Sequence, residues 1–313
     1  MCGIYGILYK SPVLRKGQKI SFKNIQRAKI LSKVVNIDEE TFNNFLTIKE
    51  RGPDYSCLEC LKDNILSGFH RLKIIGLDDN SNQPLKDEDH NIVLTCNGEI
   101  YNYRELQKKF SFTFRTNSDC EVIINIYNYY KEKVLGAFKN RKNQNKENSL
   151  KTLNKKYIEI MEKVVNELEG EFAFILYDLQ DNHTFITRDS YGVRPVFYGE
   201  NESGFGFASE IKALKNFDKV KPLPGGNILH FHKNEIEDKN KKILNMEKYN
   251  YLQKENMYIN NRKFKNLSIF SLGNLLYKTG YANSVIYTLL KNSVERRLHS
   301  DRPIGCLLSG GLD

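Results

Sequence analysis

The chain begins with Met1-Cys2-Gly3-Ile4-Tyr5-Gly6, and the cysteine at the second position is the residue that decides the fold. When the initiator methionine is removed, which a small second residue generally permits, Cys2 becomes the amino-terminal residue. Its thiol and its α-amine, with reference pKa values of roughly 8.5 and 7.7–8.0, then exchange a proton at little cost. Such a residue carries a nucleophile together with its base. The apolar run Cys2–Lys10 predicts a buried strand that starts at this nucleophile. A cysteine without a catalytic role is the alternative on these residues alone.

With 313 residues, of which 40% are hydrophobic and 27% charged, the chain has the size and composition of a globular protein of two domains. No apolar run approaches the roughly 18 residues that a membrane span needs. Basic residues from Lys10 to Lys19 interrupt any signal-peptide core. The six cysteines are scattered rather than paired, which suits a reducing compartment. We therefore expect a cytoplasmic protein without a membrane partner.

Two features of the composition point to other kinds of site. Cys57 and Cys60 form a lone CxxC, and without a second pair or a nearby histidine we expect no metal there; a metal or redox role is the alternative. The formal charge of +10 comes largely from Lys/Asn-rich segments such as Lys139–Lys156 and Lys239–Lys242. Because these segments have few aromatic residues and no nucleic-acid motif, they predict solvated insertions and no nucleic-acid partner.

The hydrophobic periodicity predicts an α+β domain with mostly antiparallel strands over the first two-thirds of the chain. The predicted helices are Phe22–Val35, Glu39–Ile48, Tyr103–Phe110, Ser118 to about Tyr130, and Tyr157–Leu168. The predicted strands after the first are Cys57–Leu61, Asn64–Phe69, His90–Cys96, Glu171–Asp178, Thr184–Arg188, Val196–Tyr198, Gly204–Ala208 and Asn227–His232. Ser118 and Glu121 have the spacing of a capping box. Asn97-Gly98-Glu99 predicts a sharp break after its strand, and Lys139–Lys156 predicts a loop.

The last quarter of the chain has a different pattern. Residues 235–278 are polar and irregular and predict a linker, and Asn283–Leu298 predicts a helix. Ile304–Leu308 predicts a short buried strand, which runs into Ser309-Gly310-Gly311-Leu312-Asp313. A helix, a strand and a glycine-rich loop are typical of the opening of an α/β nucleotide-binding domain. Since the chain stops within this loop, we expect a fragment that lacks the rest of that domain.

Several polar residues could serve an amino-terminal thiol that cleaves an amide. The oxyanion needs a side-chain amide and a backbone N–H, which Asn97 and Gly98 offer. An amino-acid substrate needs a guanidinium for its carboxylate and carboxylates for its ammonium group, and Arg71, Glu99 and Asp119 are available. Each of these signals is weak alone, because an Asn-Gly pair is usually only a turn and Asp119 is also a suitable helix-dipole partner.

Five motifs, in this order, resemble the glutaminase domain of class II glutamine amidotransferases. They are Met1-Cys2-Gly3-Ile4, Arg51-Gly52-Pro53-Asp54, Phe69-His70-Arg71-Leu72, Asn97-Gly98-Glu99-Ile100-Tyr101-Asn102 and Ser118-Asp119. The resemblance covers about residues 2–230. It implies a four-layer αββα sandwich of the N-terminal nucleophile hydrolase type, which we expect to occupy residues 2–234.

The same resemblance implies a role for each matching residue. Cys2 is the expected nucleophile, and Asn97 and Gly98 are the expected oxyanion hole. The residues expected to bind glutamine are Arg71, Leu72, Ile74, Ile75, Asn97, Gly98, Glu99 and Asp119. The resemblance implies that the products are glutamate and ammonia, and we expect this half of the chemistry to need no cofactor.

Three further stretches resemble glutamine-hydrolysing asparagine synthetases. They are Arg188-Asp189-Ser190-Tyr191-Gly192-Val193-Arg194-Pro195, Ser209-Glu210-Ile211-Lys212, and Asp301 to Asp313 with its SGGLD loop. The resemblance implies that residues 279–313 begin an ATP pyrophosphatase domain, with Leu307, Ser309, Gly310, Gly311 and Asp313 as ATP-binding residues. The complete enzyme would use glutamine, aspartate, ATP and Mg²⁺, with a homodimer as a candidate assembly. We expect this chain to retain only the glutaminase half.

Two alternatives stay open on the sequence. A class II glutaminase domain also serves other acceptors, as in the phosphoribosyl and fructose-6-phosphate enzymes, but those enzymes do not share the SGGLD loop. A non-catalytic binding or regulatory fragment is an alternative of a different class. An assay for ammonia released from glutamine distinguishes this non-catalytic alternative from the two kinds of glutaminase.

Overall fold

The structure is a computed structural model that describes residues 1–13, 16–22, 37–142, 150–236, 246–248, 282–307 and 310. The chain divides into two compact units, Met1–Tyr249 and Asn250–Asp313. The predicted helix Phe22–Val35 lies outside the described residues from position 23 onward. Within the described parts of the chain, no helix is long and apolar enough to cross a membrane.

The first unit contains two antiparallel sheets. The first sheet has the strand order β11-β9-β10-β1-β4-β3-β2 and the second the order β13-β12-β8-β7-β6-β5. The strands are β1 Gly3–Tyr9, β2 Lys19–Phe22, β3 Tyr55–Lys62, β4 Ile65–Arg71, β5 Leu85–Lys86, β6 Ile92–Ile100, β7 Gly170–Asp178, β8 His183–Arg188, β9 Phe197–Glu200, β10 Gly204–Ala208, β11 Asp218–Pro222, β12 Asn227–His232 and β13 Met246–Lys248. All strand pairings within these sheets are antiparallel, as predicted.

The core between the two sheets is built from large apolar side chains of both. Ile4, Phe69 and Phe207 of the first sheet and Ile175 and Phe231 of the second belong to one fully or nearly fully buried cluster. Alternate side chains of each strand therefore point into a shared interior, which is the geometry of a face-to-face sheet sandwich.

Helices cover the outer faces of both sheets. The described helices are α1 Glu39–Leu46, α2 Tyr103–Phe110, α3 Glu121–Lys142, α4 Leu150–Glu167, α5 Lys233–Ile236 and, in the second unit, α6 Ala282–Arg297. Phe42 and Phe45 of α1 join a second buried cluster on the first sheet. On the second sheet, the Tyr127 hydroxyl of α3 donates to Asp178 at 2.8 Å, and the Tyr157 ring of α4 stacks on His183. The predicted four-layer α+β sandwich is therefore confirmed.

The predicted break at Asn97-Gly98-Glu99 is wrong, because β6 continues through these residues to Ile100. Asn97, Gly98 and Glu99 lie opposite Ala173, Phe172 and Glu171 of β7. A Cβ atom at Gly98 would lie only 2.3 Å from the Glu171 carbonyl oxygen. The glycine therefore permits close approach of the neighbouring strand instead of making a turn.

The region from Ser118 to Lys156 is more helical than predicted. Glu121 accepts the backbone N–H groups of Arg115 and Thr116, so its contacts are with the loop before Ser118 rather than those of a capping box. Helix α3 extends to Lys142 and α4 begins at Leu150, so both ends of the predicted loop 139–156 are helical. Lysine and arginine are good helix formers even on a solvated helix. Residues 143–149 lie outside the described residues.

In the second unit, α6 confirms the predicted helix, but the predicted buried strand Ile304–Leu308 is wrong over its described residues. Residues 303–307 have no regular structure, and Leu307 is 102% exposed. A strand needs hydrogen-bonded neighbours, and the described part of this unit contains no other strand. Strand β13 lies inside the predicted linker and pairs with β12. The domain boundaries at 234 and 278 stay predictions.

Gly6 of β1 lies where the first sheet packs closely against the second. A Cβ atom there would lie 2.6 Å from the Tyr177 Oη and 3.0 Å from the Ile175 Cδ1 of the opposite sheet. We expect Gly6→Ala to lower the free energy of unfolding by about 1–3 kcal/mol, because the packed sheets must separate. Gly136→Ala, on α3 with nothing within 4 Å, is the control and should stabilise the protein slightly. Urea denaturation measures both; an equal midpoint for the two variants would contradict this packing.

Candidate active site

All nine residues predicted to catalyse glutamine hydrolysis or bind glutamine line one open cleft of the first unit. Its empty volume is about 440 Å³, including solvent space at its mouth, which is within the roughly 300–1,000 Å³ of small-molecule sites. The lining residues are Met1, Cys2, Arg71, Leu72, Ile74, Ile75, Gln83, Cys96, Asn97, Gly98, Glu99, Ser118, Asp119, Cys120 and Arg194. The fold therefore brings together residues from widely separated segments of the sequence.

Cys2 lies directly before β1, at the end of the central strand of the first sheet. Its Sγ atom lies 3.4 Å from the Leu72 backbone nitrogen and 3.5 Å from the Leu72 carbonyl oxygen. Cys2 is partly buried, and burial raises the pKa of its thiol to about 11, although the Leu72 N–H lowers it. With Met1 attached, the nitrogen of Cys2 belongs to a peptide bond and cannot act as a base.

Arg51 fixes the backbone at the nucleophile. Its Nε donates to the Cys2 carbonyl oxygen at 2.9 Å, and its Nη1 donates to Glu210 at 3.0 Å. Two residues after Cys2, Ile4 of β1 exchanges two 3.0 Å hydrogen bonds with Ser209. The motifs RGPD and SEIK, which are distant in the sequence, therefore meet at Cys2 and hold its main chain in place.

Asn97 occupies the middle of β6 with its side chain almost fully buried. Its Nδ2 atom has no hydrogen-bond partner among the described residues. The residue before it is clamped by Gln83, which donates to the Cys96 carbonyl oxygen at 3.1 Å and accepts the Cys96 N–H at 2.6 Å. A buried donor without a partner normally costs about 1–3 kcal/mol. An oxyanion formed in the cleft is a suitable acceptor for this Nδ2.

Arg71 is 3% exposed, and its guanidinium is held by the loop that follows it. Nη1 donates to the Asp78 carbonyl oxygen at 3.2 Å and to Asn82 at 2.8 Å. Nη2 donates to the carbonyl oxygens of Ile75 and Gly76. Arg71 therefore shapes the loop that carries Ile74 and Ile75 into the cleft.

Two acidic residues, Glu99 and Asp119, complete the polar lining of the cleft. Asp119 Oδ2 accepts the Ile100 N–H at 2.7 Å. Burial raises the pKa of the Asp119 carboxyl to about 6, and the hydrogen bond from Ile100 opposes this shift. The carboxyl is therefore largely ionised at neutral pH and becomes protonated in mild acid, so its attraction for a cation depends on pH.

Sequence reasoning gave no role to Arg194, which also lines the cleft. Its Nη2 lies 3.4 Å from Glu171 Oε2, and its Nε is buried without a hydrogen-bond partner among the described residues. Asp189 builds the loop that carries it, since this carboxylate accepts the N–H groups of Tyr191, Val193 and Arg194. The motif that contains Arg194 was a usable signal, but nothing in the sequence places this side chain beside Cys2.

The predicted ATP-binding residues belong to the second unit and are only partly described. Ser309, Gly311 and Asp313 lie outside the described residues, and Leu307 is solvent-exposed. Gly310 has a φ of 76°, which is the left-handed conformation. Over the described part of the chain, no group of three or more His, Cys, Asp or Glu side chains could hold a metal ion.

Residues 1–141 and 125–265 match the glutamine amidotransferase domain, and residues 286–313 match asparagine synthase. The probable glutamine-hydrolysing asparagine synthetase of Acanthamoeba polyphaga mimivirus is 33% identical over 276 residues, which cover 85% of this chain and 43% of that protein. The asparagine synthetase of Gallus gallus is 33% identical over 289 residues, with 86% and 43% covered. The chain thus spans less than half the length of these curated relatives.

Among solved structures, the chain is similar to the B. subtilis glutamine phosphoribosylpyrophosphate amidotransferase complexed with ADP and GMP. The TM-score is 0.50 at 15% identity, over 80% of this chain and 49% of that one. At this identity the similarity concerns the fold alone, and it agrees with the two antiparallel sheets and their outer helices.

The raised pKa of the Cys2 thiol predicts slow alkylation while Met1 is attached. Below the pKa, the thiolate fraction rises tenfold per pH unit, so the rate at Cys2 should climb without levelling between about pH 8 and pH 10. Timed iodoacetamide labelling and peptide mass analysis of Met1-containing protein measure this rate. A short cysteine peptide in the same tube is the control and should level off above about pH 9. A plateau at Cys2 near pH 8.5 would contradict the raised pKa of its thiol.

Proposed function

Because the chain belongs to the glutamine amidotransferase domain family, we propose that it hydrolyses the side-chain amide of glutamine with Cys2 as the nucleophile. The observation that carries this proposal is the convergence of Cys2, Arg71, Asn97, Glu99 and Asp119 on one cleft. These residues supply a nucleophile, an amide donor, a cation and two carboxylates. An amino acid with a terminal amide has a matching group for each of them.

The reaction begins once Met1 is removed and the α-amine of Cys2 is free. The amine takes the thiol proton as sulfur attacks the amide carbon, which replaces the unfavourable ionisation of a partly buried thiol by a local proton transfer. The oxyanion of the tetrahedral intermediate accepts the N–H of Asn97 Nδ2, and the adjacent N–H of Gly98 is the second proposed donor. The amine then passes the proton to the departing ammonia, and water releases glutamate from the thioester.

The charged side chains hold the amino-acid end of the substrate. Asp119 and Glu99 attract the ammonium group of glutamine, and the buried charge of Arg71 attracts its carboxylate. Since the terminal N–H groups of Arg71 already donate to loop oxygens, this residue also orders the loop from Ile75 to Asn82. Leu72, Ile74 and Ile75 form the apolar side of the pocket.

We propose that the ammonia serves asparagine synthesis in the complete protein, with aspartate and ATP as the further substrates. The match of residues 286–313 to asparagine synthase and the named relatives support this acceptor over other acceptors. The left-handed Gly310 fits a loop whose successive N–H groups converge on phosphate oxygens. Ser309, Gly311 and Asp313 would complete that loop; ATP bound there, with Mg²⁺, would activate the aspartate carboxylate.

A cytoplasmic location and a homodimer complete the proposal. The location is supported by the six cysteines, all of which are free thiols. The homodimer rests only on the resemblance of the sequence motifs to asparagine synthetases.

The direct test of the glutaminase is Cys2→Ala. We expect loss of glutamate and ammonia release from glutamine to the background rate, because the variant removes the attacking sulfur. Circular dichroism and the urea midpoint should stay close to those of the unchanged protein. Cys306→Ala, at an exposed cysteine of the second unit, is the matched control and should keep full activity. Turnover by Cys2→Ala, or by protein whose intact mass still includes Met1, would contradict the mechanism.

The pKa of Asp119 predicts how the Michaelis constant for glutamine changes with pH. As pH falls below about 6, the carboxyl becomes protonated and loses its attraction for the ammonium group, so KM should rise up to tenfold per pH unit. Steady-state assays between about pH 5 and pH 8 measure this change. Asp119→Asn should raise KM at neutral pH and remove the rise in acid. A rise in acid that persists in Asp119→Asn would assign the titration to another group.

A further inference from the structure

The short strand β5 ends before the cleft, and a side chain takes its place beside β6. β5 consists of Leu85 and Lys86 and pairs with β6 in an antiparallel register. Continued by two residues, this register places Gln83 opposite Cys96. The intervening Pro84 has no N–H to give to a strand partner. The main chain of β6 therefore loses its strand partner on this side as it enters the cleft.

The carboxamide of Gln83 supplies the hydrogen bonds that a strand partner would have made. Its Nε2 donates to the Cys96 carbonyl oxygen at 3.1 Å, and its Oε1 accepts the Cys96 N–H at 2.6 Å. A residue in a paired antiparallel strand is held by the same two bonds. Gln83 is 6% exposed, so water has little access to either bond. One side chain thus fixes the peptide units on both sides of Cys96, including the unit that leads into Asn97.

Gly98 directs its N–H to the same edge of β6. It lies opposite Phe172 of β7, and the Phe172 carbonyl oxygen turns away from β6 to accept the Asp189 N–H at 2.7 Å. Since alternate residues of a strand direct their N–H groups to the same edge, the Gly98 N–H has the direction of the Cys96 N–H. The second proposed oxyanion donor therefore lies two residues along the edge that Gln83 holds.

Another side chain fixes this edge beyond Gly98. Asp119 Oδ2 accepts the N–H of Ile100, which is two residues further along β6, at 2.7 Å. Gly98 thus lies between two side-chain clamps on one strand edge. Of these clamps, Asp119 already has a proposed role with the substrate. Both polar atoms of the Gln83 carboxamide are bonded to the main chain of Cys96, so the contribution of Gln83 is to the geometry of β6.

We propose that Gln83 is a positioning residue of the oxyanion hole. It acts through the main chain of Cys96 and keeps the Asn97 Nδ2 and the Gly98 N–H in one fixed arrangement. Oxyanion donors lower the barrier only when they are directed at the place where negative charge develops. A misplacement of about 1 Å is enough to cost roughly 10²-fold in rate. This inference rests on the proposed glutaminase function and deepens it.

Gln83→Met tests this role, because it removes both hydrogen bonds and keeps the length of the side chain. We expect kcat for glutamine hydrolysis to fall roughly 10- to 100-fold with KM changed less than about twofold, since the oxyanion exists in the transition state and not in bound glutamine. Gln107→Met, on α2 outside the cleft, is the matched control and should keep the kcat of the unchanged protein. An unchanged kcat in Gln83→Met, whatever happens to KM, would overturn the inference.

A double-variant cycle with Asn97 separates positioning from a general loss of folded protein. Each rate is divided by the folded fraction that urea denaturation gives for that variant. Gln83→Met should then lower kcat by a smaller factor in Asn97→Ala than in the unchanged protein, because one of the donors that Gln83 positions is already gone. A loss by the same factor in both backgrounds would overturn the inference.

Hydrogen exchange of the Cys96 amide, followed by amide-resolved NMR, tests the clamp without enzyme activity. Gln83→Met should raise this exchange rate at least about tenfold, because the N–H loses its acceptor. The Asn97 N–H should keep its protection, because Asn97 pairs with Ala173 of β7. Equal exchange of the Cys96 amide in both proteins would overturn the inference. If the unchanged protein releases no ammonia from glutamine, the proposed function fails, while hydrogen exchange still decides whether Gln83 holds this edge.

Discussion

The position of β1 between β10 and β4 is the constraint on which the site depends. This strand is hydrogen-bonded on both sides, and it begins at the residue directly after Cys2. Because neither neighbour can shift without breaking its ladder, the sulfur at its end has a fixed place relative to Leu72. Arg51 adds a hydrogen bond to the Cys2 carbonyl oxygen. The proposed nucleophile lies next to a chain terminus, which is usually mobile, and thus acquires the rigidity of a sheet centre.

Local patterns in the sequence predicted much of this fold, because many of its elements are specified locally. The helix Tyr103–Phe110 and the strands Gly204–Ala208 and Asn227–His232 have the predicted bounds. Sequence patterns predicted the wrong local structure where contacts with residues elsewhere in the chain determine that structure. Asn97-Gly98 has the composition of a turn, but pairing with β7, more than seventy residues later, keeps it extended. Glu121 binds loop N–H groups that the capping spacing does not include.

In the candidate site, too, the sequence predicted some features, and contacts between distant parts of the chain determined the others. The motifs predicted which residues meet, and the structure places all nine of them in one cleft. The sequence could not show that the terminal N–H groups of Arg71 donate to loop oxygens, or that Arg194 and Gln83 reach the same space. These contacts come from the paths of loops and from side-chain directions across a sheet, and periodicity carries no information about either. Which of these residues attacks the substrate and which bind it is determined by their chemistry, and their shared position in one cleft does not determine it.

The register of β1 also determines the order of events during synthesis of the protein. Residues Tyr5–Tyr9 pair with Gly204–Ala208, so one edge of the amino-terminal strand has no partner until about two hundred further residues have been translated. At 5–20 residues per second, this takes roughly 10–40 s. The amino-terminal strand can therefore complete its pairing in the first sheet only after most of the first unit has been synthesised.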